Sequence, residues 1–461
     1  MAKKSYIEDA ILKNQDLYPF HMPGHKRNKE FIPYDLLKLD MTEVNNLDNL
    51  HNPTGVIRVA QKKCAEIFGC AHSFIMTNGA SSAVMAAIFS VCKENDKIIS
   101  FRNSHKSFYN AIELCGAMPI YYYSQNILGV NFGLNYIKFE NLLKLNPDAN
   151  VVFITSPNYE GLCLDIEQIA KIAHRCEKIL IVDESHGSHF VFNKKFPKSA
   201  IQCGADIVIN SLHKTLPCLT QSAVLHVNSD FVDIDRVRKY VSIFQTTSPS
   251  YIMMSIIEKT LDKLSKPKSY EKYLKKLVDL RKKLLEFQNI RLLPKNIIKF
   301  FKKQELFDLD ITKLTFFVNS HITPAKIEKI LRDRFKIQIE MCSNRYFIAL
   351  SSIADTDEGL DRLYNAIKTL NSELKYRHIN QSMISEIDKP KIIYTPKKAM
   401  QLKSEYMQIE FCENKISAGY IIKYPPGIPM VVPGELIDKN LISYLINIDK
   451  IKSNIIGLKY I

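Results

Sequence analysis

Between about residues 55 and 260, short apolar runs without polar alternation alternate with helical patterns, and this restricts the fold more than any other feature. KIISF (97–101), PIYYY (119–123), NVVFIT (150–155), KILIVD (178–183) and DIVIN (206–210) read as buried strands. A strand with one face in water would show a polar residue at every second position. Helical spacing fills the intervals: VIRVAQKKCAEIFG (56–69), the apolar SSAVMAAIFSVCK (81–93) and the amphipathic DIEQIAKIAHRCE (165–177). This succession predicts an α/β fold, a mostly parallel sheet covered by helices on both faces. Ligands of such sheets sit beyond the carboxyl ends of the strands. The chemistry is to be sought where these strands stop.

A chain of 461 residues is too long for one simple core and divides into about three compact units. Residues 262–290 carry one long charged helical pattern, suited to linking a first domain to a second. Strand-like KLTFFVN (313–319) and RYFIALS (345–351), with helices beginning near Pro324 and Asp357, predict a small α/β domain. From about 385 the chain becomes a short C-terminal module containing the turn-rich YPPGIPMVVPGE (424–435). The expected divisions are 1–50, 51–290, 291–380 and 381–461.

The first twenty residues carry charges throughout and no long apolar core, so they do not read as a signal peptide. No uncharged apolar stretch reaches the length of a membrane span. Ten cysteines are scattered singly with no C-x-x-C pair, a pattern of reduced thiols in a cytoplasm. The net charge of +15 raises nucleic acid as a partner. The lysines, however, are spread along the chain and interleaved with Glu and Asp, which describes solvated faces rather than a binding arm. No nucleic acid and no membrane is expected as a partner.

Three strand ends hold the informative residues. TNGASSAVMAA (77–87) opens a helix with a glycine and small hydroxyl residues. Free N–H groups there bind anions, so Gly79, Ala80, Ser81 and Ser82 could cradle a phosphate; a plain N-cap explains Ser equally well. IVDESHGSHF (181–190) closes a strand with Asp183, a carboxylate that is costly to bury unless paired. It could pair with the protonated pyridine nitrogen of a pyridoxal phosphate (PLP), or join Glu184, His186 and His189 in a metal site. His21 and His25 are four apart, but Pro23 and Gly24 between them argue against a helix. DIVINSLHKTLP (206–217) follows a strand with Ser211, His213 and Lys214. A lysine in a partly desolvated pocket becomes a competent imine former, and Ser211 and His213 are placed to reach a cofactor phosphate. A surface lysine would explain S-x-H-K alone. The order of anion-binding turn, strand-end Asp and strand-end Lys is what favours a cofactor on Lys214, with His105 of RNSHKS (102–107) as a ring able to stack on it.

FHMPGHK (20–26), LDNLHNPTGVI (47–57), RNSHKS (102–107), VDESHG (182–187), SLHK (211–214), LTQSAVLH (219–226), QTTSPSY (245–251) and YPPGIP (424–429) run in order over nearly the whole chain. In these the sequence resembles the ornithine/lysine/arginine decarboxylases of PLP fold type I, in their short form without an N-terminal wing domain. The resemblance implies a mostly parallel seven-stranded sheet, a small α/β domain and a C-terminal decarboxylase-type domain, with segment 1–50 packing near the active site. It implies that Lys214 holds PLP as a Schiff base, that Asp183 binds the pyridine nitrogen, that His105 stacks on the ring, and that His186 sits near cofactor and substrate. Gly79, Ala80, Ser81, Ser211 and His213 would hold the phosphate, Ser185 would back the ring, and Thr247 and Ser248 would reach the phosphate of a neighbouring subunit in a homodimer. The sequence also departs from the family pattern. Asn78-Gly79-Ala80-Ser81-Ser82 stands where Q-G-T-S-G is common, Ser185 replaces Ala, Gly419 stands where many short members carry Glu, and Lys423 where Pro is common.

The activity implied is decarboxylation of a basic L-amino acid, giving agmatine from arginine, cadaverine from lysine or putrescine from ornithine, as in polyamine biosynthesis. An aminotransferase-like PLP enzyme of the same fold is the alternative. A non-enzymatic relative ranks below it, and a metal enzyme or nucleic-acid binder last.

Overall fold

In a computed structural model of the chain the unalternating apolar runs become the centre of one large sheet. The described residues are 16–31, 36–44, 47–124, 126–127, 130–300, 306–377, 389–423 and 427–449; most of the charged N-terminal stretch and part of YPPGIP lie outside them. The strands up to residue 227 are β1 (Tyr18–Phe20), β2 (His72–Met76), β3 (Lys97–Phe101), β4 (Met118–Tyr122), β5 (Asn126–Ile127), β6 (Val130–Asn131), β7 (Ala149–Thr155), β8 (Leu162–Cys163), β9 (Ile179–Asp183), β10 (Ile207–Asn210) and β11 (Ala223–Val227). Seven of them form a sheet in the order β2-β11-β10-β9-β7-β3-β4. Every neighbouring pair is parallel except the two made by β11, which runs antiparallel to β10 and β2.

Successive side chains of a strand point to opposite faces, so each run feeds two cores at once. Ile99, Val152, Val182 and Val208 join the core on one side. Ile98, Val151, Ile181 and Ile209 join the core on the other. Each such side chain contributes roughly 1.5–3 kcal/mol by leaving water, which a charge at the same position would forfeit. The first charge tolerated along β9 is Asp183, its last residue.

The expected single helix over 262–290 is two helices, Tyr251–Ser265 and Glu271–Leu284. Pro267 supplies no N–H and forces the residue before it out of helical conformation. Lys266 is accordingly extended, and Lys268 lies in the left-handed region at φ 67°.

The second half adds β12 (Ile290–Leu292), β13 (Asp308–Leu309), β14 (Lys313–Val318), β15 (Ile337–Ile339), β16 (Met341–Cys342) and β17 (Tyr346–Leu350). A four-stranded sheet in the order β12-β14-β17-β16 packs with helices Pro324–Phe335 and Asp357–Glu373. Two pairings tie distant segments together. β13 pairs with β8 of the first half, and β1 pairs in parallel with β15. The last hairpin, β18 (Ile421–Lys423) and β19 (Ile428–Val431), belongs to the C-terminal module.

Candidate active site

Lys214 lies in the one-turn helix Leu212–Thr215 that follows β10, and Asp183 ends the adjacent strand β9. His105 caps helix Lys106–Cys115 beyond the end of β3, its ring accepting from Ser107 N. Three strand ends, two of them adjacent, thus bring these groups to the carboxyl edge of the sheet. Lys214 Nζ is 3.1 Å from His186 Nε2. Burial lowers the Lys214 ammonium below its ordinary range, while Asp183 and Glu340 oppose the shift. Burial, reinforced by the Lys214 charge, pushes His105 down to about 4, with Asp183 pulling the other way. His105 is therefore a neutral ring that feels both groups. One Asp183 oxygen accepts from Ser185 N at 3.1 Å.

Ser211 Oγ is 3.3 Å from His213 Nδ1, which also lies 3.1 Å from Ser222 O. Burial carries His213 to about 4 as well. The turn before β11 closes this corner, since a Cβ on Gly79 would lie 3.7 Å from Gln221 O. Gly79 itself sits at φ +81°, a backbone conformation that suits glycine. Helix Gly79–Val91 starts here with Asn78 making no side-chain capping bond, although Asn135, Asp165, Ser250 and Thr323 cap theirs. Ala80 is half-buried and Ser81 exposed.

The first segment runs past the same turn. Gly24 N donates to His213 O at 2.6 Å, and Ser352 Oγ donates to Gly24 O at 2.5 Å. A Cβ on Gly24 would sit 2.7 Å from Leu216 O, so only glycine fits. The buried Lys26 ammonium donates to His21 O and Leu350 O. Thr247 and Ser248 stand apart, exposed in the loop before helix Tyr251–Ser265.

The metal reading of Asp183, Glu184, His186 and His189 does not hold. Glu184 turns away to Ser199 Oγ, Ala200 N and Asn210 Nδ2, and His189 pairs with Asp310. Among the described residues no group of three or more His, Cys, Asp and Glu converges to hold a metal ion.

Three residues of the site were not picked out from sequence. Lys313 Nζ lies 2.9 Å from His186 Nδ1. The Tyr159 ring meets His186 edge-on at 4.8 Å, and its hydroxyl donates to Glu340. In sequence Lys313 reads as the first residue of a strand, although a lysine opening an apolar strand is itself an anomaly that burial rules flag.

An acid cofactor with a phosphate fits this corner. Among the described residues the buried hydroxyls of Thr215 and Ser222, flanking the Lys214 turn, have no hydrogen-bond partner, and no side chain caps the amides opening helix Gly79–Val91. Buried donors left idle in this way call for a ligand with several acceptor oxygens. Fold and site together define a PLP enzyme of fold type I.

The sequence pattern of the Orn/Lys/Arg decarboxylase major domain matches residues 12–341, and that of the family's C-terminal domain matches 377–460. The chain belongs to this family and is a PLP-dependent amino-acid decarboxylase. Arginine decarboxylase of Bacillus subtilis is 32% identical over 442 residues, 92% of this chain and 89% of the relative. Arginine decarboxylase of Halalkalibacterium halodurans is 32% identical over 440 residues with the same coverage. Among solved structures, lysine decarboxylase of Francisella novicida superposes with a TM-score of 0.78 at 18% identity, covering 99% of this chain and 83% of that one. A serine palmitoyltransferase of Sphingomonas wittichii, at TM-score 0.58 and 13% identity over 78% of this chain and 88% of that one, shares the fold.

Proposed function

We propose that the protein decarboxylates arginine to agmatine, with Lys214 holding the cofactor. The observation that carries this reading is the Lys214–His186 contact, with Asp183 and His105 acting on the Lys214 charge and the hydroxyls of Thr215 and Ser222, unpaired among the described residues, following Lys214 in the chain. Bound PLP supplies a conjugated ring that takes up the electron pair left when CO₂ departs. Asp183, its carboxylate held by the Ser185 amide, would keep a proton on the ring nitrogen. His105, a neutral ring, would stack on one face of the cofactor ring, with Ser185 backing it. Gly79, Ala80, Ser81, Ser211 and His213 would hold the phosphate. Thr247 and Ser248, exposed on each protomer, reach the neighbouring subunit's phosphate in a homodimer.

A guanidinium is recognised best by a carboxylate. Glu340 acts on the charges of Lys214, His213, His21 and Lys313 alike, and Tyr159 ties it to the His186 ring. We assign it the distal cation of the substrate. The names of the relatives that share about nine-tenths of the chain favour arginine over lysine. The reaction would feed polyamine synthesis in the cytoplasm.

The test is incubation of the PLP-loaded protein with arginine, lysine and ornithine separately, measuring CO₂ and amine. Agmatine formed faster than cadaverine or putrescine is the expected result. An α-keto acid without CO₂ would assign transamination instead. Borohydride should fix PLP on the peptide containing Lys214, and Lys214→Ala should abolish turnover.

A further inference from the structure

Residues 102–105 join β3 to helix Lys106–Cys115, and His105 is the last of them. Buried Ser104 shapes this turn, donating to Phe101 O through its N–H at 3.1 Å and its hydroxyl at 2.7 Å. His105 Nδ1 accepts from Ser107 N at 3.2 Å and lies 2.9 Å from Ser107 Oγ. The imidazole therefore caps the second amide of the helix. The first amide, that of Lys106, donates to Gly427 O at 2.9 Å, in the C-terminal module. Gly427 stands just before β19 at φ +86°, and a side chain there would strain the backbone that presents this carbonyl.

The other end of the turn is held from the same strand. Arg102 donates to Pro429 O and Met430 O of β19 and meets Glu435, beyond its end, at 2.9 Å through Nε and Nη2. Val432 N fixes that carboxylate at 2.8 Å, and the Tyr109 hydroxyl donates to Arg102 O at 2.5 Å. An ion pair alone would attach the module. The Gly427 carbonyl adds a restraint on the residue adjoining His105. A shift of the helix start carries the ring with it, because Nδ1 is bonded to that same first turn.

We propose that the C-terminal module is a positioning element for His105: β19 and its flanks clamp the turn at Arg102 and Lys106, and so hold the ring where it covers the cofactor. The inference rests on the reading of His105 as the ring that stacks on PLP. It makes a module remote in sequence part of the cofactor site.

The test reads cofactor binding, not turnover. Lys106→Pro removes the N–H and puts ring carbon where the hydrogen met Gly427 O. The backbone otherwise suits proline: Lys106 is the first helical residue, and His105 before it is extended at φ −66°, ψ 153°. Lys106→Ala, which loses the same side chain and keeps the N–H, is the reference. Cofactor-free protein titrated with PLP should bind roughly three- to ten-fold more weakly in the Pro variant than in the Ala variant, the worth of one ring stack. The visible circular dichroism of the bound cofactor should move toward that of His105→Ala. In a His105→Ala background, Pro in place of Ala at 106 should change affinity by less than about 1.5-fold, since the two changes then act through one lost contact.

An unchanged affinity and spectrum in the Pro variant overturns the proposal. Equal weakening with and without His105 also overturns it, because the module would then act on the fold at large. If the Pro variant does not fold, Glu435→Gln against wild type is read by the same criteria. His105→Ala alone tests the underlying reading. No change there removes the stacking assignment and the proposal with it, whereas a change there with none at 106 removes only the role of the module.

Discussion

Arg102 and Glu435 join the first domain to the C-terminal module through a buried ion pair, and breaking it should free that module. The guanidinium meets the carboxylate side-on, Nε to Oε1 and Nη2 to Oε2, both at 2.9 Å. It also donates to Pro429 O at 2.7 Å and Met430 O at 3.1 Å, and lies 5.5 and 5.6 Å from the centroids of the Tyr109 and Tyr121 rings. The side chains are 12% and 1% exposed, so solvent screens little of the interaction. Glu435→Gln keeps the shape but leaves the cation without its counter-charge. Removing one member of a buried pair costs about 3–5 kcal/mol. Carried entirely by local opening, about 3 kcal/mol speeds exchange of the β18–β19 amides roughly 150-fold. Hydrogen exchange read by mass spectrometry measures this directly. Arg102→Met/Glu435→Met should exchange more slowly than either single variant, because a pair removed together strands no charge. Acceleration below about ten-fold in Glu435→Gln would refute the reasoning, since it would place the pair's worth under 1.4 kcal/mol.

Glu184 is raised by burial to about 7 despite donors from Ala200, Asn210 and Ser199. A raised folded-state value means its stabilising contribution is complete below the unfolded value near 4.5 and fades as pH rises through 7. Glu184→Gln should therefore gain on wild type by about 3 kcal/mol between pH 4 and 9 in denaturant titrations; parallel curves would contradict the shift. Gly24→Ala forces a methyl against Leu216 O, and should cost about 1–3 kcal/mol while weakening PLP binding, checked by thermal unfolding and cofactor titration. Glu340→Gln should raise KM for arginine at least ten-fold with a smaller change in kcat, and an unchanged KM would place the guanidinium elsewhere.

Much of the large domain is legible in sequence because burial on both faces leaves a local mark. KILIVD shows no polar alternation, and its Asp can only stand where the strand ends. Lys214, Asp183 and His105 follow by the same logic, each lying just past such a run. Lys313, Tyr159 and Glu340 are not legible this way. They come to the His186 corner from segments far apart in the chain, and the one local mark, a lysine opening the apolar β14, does not say what it would meet. Pro267 is legible too: it interrupts the charged periodicity that otherwise runs on both sides of it.

The parallel pairing of β1 with β15 joins residues about 320 positions apart. A ribosome adding roughly 5–20 residues per second needs on the order of tens of seconds to span that distance. Throughout that interval the N-terminal strand has no partner, and Gly24 cannot yet bridge His213 to Ser352. A nascent chain can therefore complete its large sheet long before its lysine pocket is walled, which ties maturation of the site to synthesis of the second half.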